Sequence, residues 1–230
     1  MSPTPRERAR VQTEQDILRI ARNHLATQGP AGLSLRAVAR DLGVVSSAVY
    51  RYVRSRDELL TLLVVEGYNE LGDAVDEAMD AVGGMSDREQ FFALGRAVRA
   101  WARREPAMYA LLYGTPVPGY EAPGERTVAP GTRVVLALAR IVEEAWANDR
   151  LTLTHAAAPL PIADLERIRR DLGYQGPPEV VARTIFAWAA LFGCVNFEIF
   201  DHYGADTFTD IETLFDHHLA QLAHTLGLTP

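Results

Sequence analysis

The chain has 230 residues, of which 48% are hydrophobic, and it has a formal net charge of −7. This length and composition suit one or two globular domains and exclude a largely disordered chain. The sequence contains no run of about 18 apolar residues and no apolar leader after its polar N-terminus, so we expect a soluble, cytoplasmic protein. The single cysteine, Cys194, excludes an intramolecular disulfide bond and suits a reducing compartment.

Charge is distributed unevenly along the chain. Residues 1–56 contain 10 Arg against 4 Asp and Glu, a net charge of +6, whereas residues 57–230 have a net charge of −13. Lysine does not occur, so every side chain counted as Lys or Arg is an arginine. A basic end on an acidic remainder is expected when only that end contacts phosphate. The asymmetry therefore favours nucleic-acid binding by the N-terminal quarter.

The N-terminal residues combine charge with proline. Residues 1–12 are polar and contain two prolines with Arg6, Arg8 and Arg10, which predicts a mobile arm that lies on a DNA backbone or in its minor groove. A solvated tail is the alternative. Apolar residues at helical spacing then predict a first helix over residues 13–28, which ends at Gly29 and Pro30.

Residues 33–60 carry the most specific local pattern. Leu35, Val38, Ala39 and Leu42 fall at i, i+3, i+4 and i+7 after Ser34, a residue type that caps helices, and Gly43 follows as a helix stop. A second short helix is predicted over about residues 46–53, and a third begins at about residue 55. Two short helices joined by a glycine-containing turn form a helix-turn-helix, whose second helix enters the DNA major groove.

At these residues the sequence resembles the TetR/AcrR family of bacterial one-component repressors. The matching segments are Gly32-Leu33-Ser34-Leu35, Ala39-Arg40-Asp41-Leu42-Gly43-Val44 and Tyr50-Arg51-Tyr52-Val53-Arg54-Ser55-Arg56-Asp57-Glu58-Leu59-Leu60. Three positions depart from the family pattern. Val45 replaces a capping Ser, so Ser46 is expected to take over the cap; Tyr52 replaces a His, and Arg56 replaces a Lys. The last two changes keep a donor that can reach phosphate.

The resemblance and the helix positions together predict the DNA contacts. Ser34, Tyr50, Tyr52 and Arg56 are implied as phosphate contacts, with Arg36 in support. The recognition helix places another set near base edges, and Arg51 is the best candidate for a guanine because its guanidinium forks onto two acceptors. The full predicted set is Ser34, Arg36, Ser46, Ser47, Ala48, Tyr50, Arg51, Tyr52 and Arg56. Packing within the domain is the alternative role for Tyr50.

The remainder of the chain is predicted to be helical, over about residues 55–81, 86–104, 106–113, 132–148, 163–172, 179–200 and 208–226. Residues 114–131 contain four prolines and four glycines, which predicts a long loop without a regular element. Because tyrosines flank and enter this loop, it is expected to cover a pocket as an ordered lid. A second loop, with Pro159 and Pro161, is predicted before the short helix at residues 163–172.

The last two predicted helices are apolar on more than one face, which indicates that a second subunit covers them. In the TetR-like family these helices form a four-helix bundle with a twofold mate, so the resemblance implies a homodimer. The stretch from Trp188 to Gly193 also resembles a Trp-His-Gly type C-terminal module, with Phe192 in the place of the His.

Aromatic and apolar residues of the C-terminal part form the candidate binding site for a small apolar effector. Such pockets combine apolar and aromatic walls with few polar groups, and Asn196 between Val195 and Phe197 is the polar candidate. Ordinary core packing is the alternative for each aromatic residue. The predicted set is Trp101, Met108, Tyr109, Leu112, Tyr113, Tyr120, Trp146, Trp188, Phe192 and Asn196.

Catalytic, metal and cofactor motifs are not found. The adjacent His217 and His218 point to different sides of a helix, and no zinc-protease, nucleophile-elbow, phosphate-loop or paired-cysteine motif occurs. We therefore predict no enzyme activity, no cofactor and no metal site. The prediction is an all-α protein with a helix-turn-helix domain at residues 1–56 and a ligand-binding and dimerisation domain at residues 57–230.

The function implied is a homodimeric, cytoplasmic transcriptional regulator, expected to be a repressor that a small effector releases from a palindromic double-stranded operator. Two alternatives remain open at this point. One is a helical small-molecule carrier or enzyme with a vestigial DNA-binding head. The other is a nucleoid-type DNA-binding protein without a ligand.

Overall fold

The computed structural model describes residues 4–152 and 161–228, and in these ranges the chain forms two compact helical units. The N-terminal unit comprises residues 1–70 and 104–131, and the C-terminal unit comprises residues 71–103 and 132–230. The units are defined by packing contacts and not by chain order, and by this criterion residues 104–131 belong with the N-terminal helices. The functional division after residue 56 stays a prediction.

Eleven α-helices are present in the described ranges, which confirms the all-α prediction. They are α1 (Pro5–Gln28), α2 (Leu35–Asp41), α3 (Ser46–Val49), α4 (Arg56–Ala81), α5 (Asp87–Arg104), α6 (Pro106–Tyr113), α7 (Gly124–Gly131), α8 (Arg133–Ala147), α9 (Ile162–Asp171), α10 (Pro178–Ile199) and α11 (Ile211–Leu226). A single 3₁₀ turn, Pro30–Gly32, separates α1 from α2. The predicted loop around Pro159 lies outside the described residues, and Pro161 directly precedes α9.

Helix α1 begins two turns earlier than the sequence pattern predicts, so the prediction of a mobile arm over residues 1–12 is wrong from Pro5 onward. A capping box explains the early start: the amide of Glu7 donates to Thr4 Oγ1 at 3.3 Å, and the amide of Thr4 donates to Glu7 Oε2 at 2.7 Å. Pro5 occupies the first helical position, where its missing N–H and fixed φ cost nothing.

The N-terminal unit is organised around a core formed by the first four helices. Its buried apolar side chains are spaced at helical intervals along α1, α2 and α4, as the sequence pattern predicts. The members of this core are Ile17, Ile20, Ala21, Leu25, Leu35, Val38, Ala39, Val49, Val53, Leu59, Leu60 and Leu63. Burial of these side chains fixes α2 and α3 against α1 and the start of α4.

Residues 114–131 contain a helix, so the prediction that no regular element forms there is wrong. Helix α7 begins after Pro123, whose carbonyl accepts hydrogen bonds from the amides of Arg126 and Thr127. Pro130 lies in the last turn of the helix. The segment is bonded to α4: Tyr120 OH lies 3.0 Å from Thr61 Oγ1, and Arg126 Nη1 donates to Glu58 Oε1 at 3.0 Å. Residues 114–131 are therefore a partly helical strap along the first half of α4.

Helix α10 is the central element of the C-terminal unit and packs against α8, α9 and α11. Its buried side chains are Val180, Val181, Thr184, Ala187, Leu191, Phe192 and Val195. By length and composition alone this helix is apolar enough to cross a membrane, but core helices of soluble proteins share that property. Its packing against three neighbouring helices accounts for the buried apolar side chains, while Phe186 and Phe197 of the same helix are exposed.

An ion-pair cluster ties α5 to α10 and α11. The guanidinium of Arg99, whose side chain is 7% exposed, donates from Nε and Nη2 to the two carboxylate oxygens of Glu198 at 2.6 and 2.8 Å. Arg99 also binds Glu212 on α11 and lies over the ring of Phe215, 4.9 Å from its centroid. One buried arginine thus fixes how three helices meet.

We expect Arg99→Ala to lower the free energy of unfolding by about 3 kcal/mol, because it leaves the carboxylate of Glu198 buried without its main partner. Chemical denaturation followed by circular dichroism measures the change. Arg170→Ala on α9 is the control, since this exposed arginine binds no acceptor in the described part of the chain and should change stability by less than about 0.5 kcal/mol. Equal stability of the two variants would contradict the role assigned to Arg99.

Candidate nucleic-acid interface and ligand residues

The turn between α2 and α3 is formed by a Schellman motif at the end of α2. The amide of Val44 donates to the Ala39 carbonyl at 3.0 Å, and the amide of Gly43 donates to the Arg40 carbonyl at 3.1 Å. Gly43 has a φ of +74°, a conformation that only glycine adopts at no steric cost. The turn directs α3 away from α2, which is the geometry of a helix-turn-helix.

Two predicted helix caps are wrong. Ser34 occupies the N-cap position of α2 but its hydroxyl makes no capping bond, and the N-cap of α3 is Val45, so Ser46 does not take over that role. Val45 is instead one of the most exposed apolar side chains of the N-terminal unit. Because neither hydroxyl is used to cap a helix, both Ser34 and Ser46 keep their hydrogen-bonding capacity for another partner.

The predicted DNA-contacting side chains come together along α2, α3 and the turn that follows α3. Arg36, Ser47, Tyr50 and Arg51 are exposed, whereas Ser34, Ser46, Ala48, Tyr52 and Arg56 are half-buried. In residues 4–152 and 161–228 no acceptor or donor binds the side chains of Arg36, Ser47, Tyr50 or Arg51. The structure thus presents two arginines, a serine and a tyrosine to solvent on one helix-turn-helix.

Arg56 has a structural contact that the sequence did not indicate. Its Nη2 donates to the carbonyl oxygen of Pro30 at 2.8 Å, and its Nη1 lies 3.7 Å from Asp57 Oδ1. This bond joins the first turn of α4 to the 3₁₀ turn after α1. One third of the Arg56 side chain is exposed. Its predicted role as a phosphate contact therefore applies only to the guanidinium N–H groups that do not bind the Pro30 carbonyl.

A buried histidine, also missed from sequence, links α1 to the end of α2. His24 is 6% exposed, and its Nε2 lies 2.7 Å from Asp41 Oδ2. The bond from His24, with a second from Arg40 Nε at 3.2 Å, holds the pKa of Asp41 below its usual range. His24 lies three residues after Ala21 and four residues after Ile20, so it shares the buried face of α1. This spacing is the sequence signal for a core position of His24.

Arg22 connects three helices of the N-terminal unit through three carboxylates. Its Nη2 donates to Glu70 Oε2 on α4 at 3.0 Å and to Glu105 Oε2 beside α6 at 2.8 Å. Its Nη1 also binds Glu70 and lies 3.6 Å from Glu66 Oε2, an atom that is buried without a hydrogen-bond partner in the described residues. Burial raises the pKa of Glu66, and the nearby Glu70 and Glu105 raise it further against the opposing effect of Arg22.

Half of the predicted ligand residues lie in the N-terminal unit, on α6 and the strap. Met108 and Tyr109 are fully buried, Leu112, Tyr113 and Tyr120 are half-buried, and the Tyr109 and Tyr113 rings lie 5.2 Å apart. Tyr68 of α4, which the sequence analysis did not select, joins them edge-on to Tyr113 at 6.1 Å. Burial raises the pKa of all three clustered tyrosines, so they are neutral hydroxyl groups at pH 7.

The other half lies in the C-terminal unit. Trp101 is fully buried, and its indole Nε1 has no acceptor in the described part of the chain. Trp188 and Phe192 contact each other edge-on with centroids 6.2 Å apart, while Trp146 and Asn196 are half-buried. These positions fit both a pocket wall and an ordinary core, so the ligand role of each residue stays a prediction.

The described ranges contain no group of three or more His, Cys, Asp or Glu side chains placed to hold a metal ion. Arg22 neutralises part of the acidic cluster formed by Glu66, Glu70 and Glu105.

Two family profiles match the sequence of the chain. The profile described as "Bacterial regulatory proteins, tetR family" matches residues 17–63, and the profile described as "Tetracyclin repressor-like, C-terminal domain" matches residues 91–222. The chain is also 48% identical over 223 residues to the HTH-type transcriptional regulator Rv1816 of Mycobacterium tuberculosis. That alignment covers 96% of this chain and 95% of the relative.

Solved structures share the fold over nearly the whole chain. The structure of SCO4313 has a TM-score of 0.79 and 31% sequence identity, and the match covers 96% of this chain and 100% of that one. FadR from Bacillus subtilis, solved in complex with stearoyl-CoA, has a TM-score of 0.62 over 90% of this chain and 96% of its own. At 12% identity, the likeness to FadR concerns the fold alone.

We expect Glu66→Gln to raise the free energy of unfolding at pH 7.5. The raised pKa of Glu66 means that its ionised form costs the folded state stability above the ordinary carboxyl pKa of 4.5. The gain should shrink as the pH falls toward that value and vanish below it, where the carboxyl group is protonated in both states. Denaturation at several pH values measures it.

The matched control for this pH series is Glu77→Gln, an exposed position on the same helix without a partner in the described ranges. It should leave stability unchanged at every pH. A Glu66→Gln variant that is less stable than the wild type at pH 7.5 would show that attraction to Arg22 outweighs burial and like-charge repulsion.

Proposed function

The chain belongs to the TetR family of bacterial regulatory proteins, and we propose that it is a homodimeric repressor released from a palindromic operator by a small apolar or aromatic effector. Family membership makes it a DNA-binding transcriptional regulator and not an enzyme. The operator, the twofold assembly and the effector are the parts that we propose. We also propose that, as a regulator of bacterial transcription, it acts in the cytoplasm without a membrane partner.

The observation that carries the DNA proposal is the set of exposed side chains on one helix-turn-helix that have no partner among residues 4–152 and 161–228. Arg36, Ser47, Tyr50 and Arg51 are exposed there, in the part of the chain with a net charge of +6. In the proposed complex Ser34, Tyr50, Tyr52 and Arg56 bind phosphate, which sets the position on DNA. Ser47, Ala48 and Arg51 then meet base edges in the major groove, with Arg51 on a guanine.

The dimer proposal rests on apolar surface left exposed by α10 and by the segment between α10 and α11. Phe186, Phe197 and Phe208 are 58%, 49% and 43% exposed, although aromatic side chains of this size are usually covered. Twofold contact between copies of α10 and α11 would bury them. A dimer also explains how two recognition helices reach half-sites one DNA turn apart, about 34–36 Å.

The effector proposal rests on the buried aromatic residues of both units, each with few polar groups. Tyr68, Tyr109 and Tyr113 form a neutral aromatic cluster in the N-terminal unit, and Trp101 carries an unpaired indole N–H in the C-terminal unit. The fold of FadR, which was solved with stearoyl-CoA, is compatible with a large apolar ligand. Such a ligand releases DNA only through its differential affinity for two dimer states, typically about 1–3 kcal/mol.

We expect Arg51→Ala to weaken binding to a palindrome from the DNA flanking the protein's own gene by about 1–3 kcal/mol, and to relax the preference for one base pair. Fluorescence anisotropy with matched and single-mismatch duplexes measures both effects. Arg140→Ala, which removes an exposed arginine of α8 in the C-terminal unit, is the control and should bind like the wild type. A carrier with a vestigial head would show no effect of Arg51→Ala.

We expect a panel of apolar aromatic compounds screened by thermal shift to include compounds that raise the melting temperature and weaken operator binding. Linkage requires that such a compound and the operator weaken each other's equilibrium binding by the same factor. Paired titrations of the compound with and without DNA, and of DNA with and without the compound, test this equality. Compounds that stabilise the protein and leave DNA affinity unchanged would contradict effector-controlled release.

A further inference from the structure

We propose that the first two turns of α1 add a second phosphate-binding surface to the DNA interface. This inference rests on the DNA-binding function proposed above. The surface is a groove between α1 and the turn after α3, which we name the α1 groove. Its lining includes Arg6, Glu7, Arg10, Thr13, Arg51 and Tyr52. A segment of the DNA sugar-phosphate backbone is the ligand that the groove receives.

The arginines of the groove are held by a helix and not by a flexible tail. Arg6, Arg10 and Thr13 fall at i, i+4 and i+7 of α1, so they share the side that faces the end of the recognition element. The capping box between Thr4 and Glu7 and the proline at the first helical position fix this part of the helix. The backbone of this segment is therefore already ordered in the free protein, so DNA binding does not carry the entropy cost of ordering it.

Charge in the groove favours an anion. Arg6 and Arg51 bind no carboxylate in the described residues, and Arg10 contacts Glu14 at 2.9 Å in an exposed pair that is open to exchange for phosphate. Glu7 is the one acidic side chain of the lining, and its Oε2 already accepts the amide of Thr4. Three arginines therefore face one carboxylate, and the guanidinium group matches phosphate oxygens in geometry.

The groove is continuous with the helix-turn-helix surface. Arg51 and Tyr52, which form one of its walls, follow α3 directly and belong to the predicted DNA contacts. Docking of α3 on a duplex brings the neighbouring phosphates beside that wall, where Arg6 and Arg10 stand opposite. Contacts of this kind position the protein without selecting bases, so they raise affinity for all sequences alike.

The test is an operator titration over several salt concentrations with the Arg6→Gln/Arg10→Gln variant, in which glutamine removes the charge and keeps a polar side chain of similar helix propensity. Loss of two phosphate contacts from each subunit, four for the dimer on its palindrome, should reduce the magnitude of the slope of log K against log salt by about 3.6, and affinity should fall by far more than tenfold near 0.1 M salt. The loss should be equal for matched and mismatched duplexes. Circular dichroism verifies that the variant keeps its helix content.

The control is Arg8→Gln/Arg19→Gln, which removes two positive charges from the same helix at positions outside the groove lining. It should keep a slope close to that of the wild type. If both double variants lose the same slope, only general charge matters and the groove proposal fails. If the groove variant keeps the wild-type slope while Arg51→Ala still weakens binding, the groove proposal fails and the regulator proposal stands. If the wild type does not bind DNA, both proposals fail.

Discussion

The pairing of arginine with carboxylate is the constraint that organises this chain. Without lysine, each strong cation is a guanidinium that either meets a carboxylate or stays open to another anion. In the C-terminal unit Arg96, Arg99, Arg133 and Arg150 each bind carboxylates. Arg6, Arg36, Arg51 and Arg54 of the N-terminal unit bind none in the described residues. Carboxylates of the acidic part thus neutralise these four arginines, whereas four open ones lie on the helix-turn-helix, beside it and at the start of α1.

Two other arginines, the half-buried Arg22 and the buried Arg99, have a structural role and hold helices together. Arg22 joins α1 to α4 and to Glu105 before α6, while Arg99 joins α5 to α10 and α11. Desolvation offsets much of the attraction in such clusters, so their main effect is to fix which helices meet. In the N-terminal unit the Arg22 cluster and the strap contacts of Tyr120 and Arg126 all act on α4 or α1, the helices that carry the helix-turn-helix.

Local sequence patterns predict most of the helices but not the contacts between residues that lie far apart in the sequence. The spacing of Leu35, Val38 and Leu42 predicts α2, because it gives the helix one apolar face. Gly43 predicts the turn after α2, because that turn needs a residue with a positive φ. The sequence pattern does not predict the start of α1 although the capping box of Thr4 and Glu7 is present, because prolines at residues 3 and 5 are also typical of an irregular segment. The prolines of residues 114–131 hide helix α7 in the same way. Proline disrupts the interior of a helix but is tolerated at its start and in its last turn.

The residues of the candidate sites also divide into positions that local patterns predict and contacts that they do not. The DNA-facing positions followed from register on a short helix, so exposed Arg36, Ser47, Tyr50 and Arg51 were foreseen as a set. The bond from Arg56 to the Pro30 carbonyl and the pair of Arg22 with Glu105 join residues far apart in sequence, and no spacing encodes them. Aromatic residues at helical intervals line cores and pockets alike, so the sequence did not separate these roles for Trp101 or Tyr109.

The central claim is that the helix-turn-helix is a working DNA-binding surface of a twofold dimer. Titration of the wild-type protein against a palindromic duplex from the DNA flanking its own gene, at several salt concentrations, tests it most directly. The account predicts saturation at one dimer per palindrome and an affinity that falls steeply and linearly on a log-log plot against salt, by about 0.9 for each phosphate contact. Binding that does not saturate, or that is absent at low salt, would contradict it.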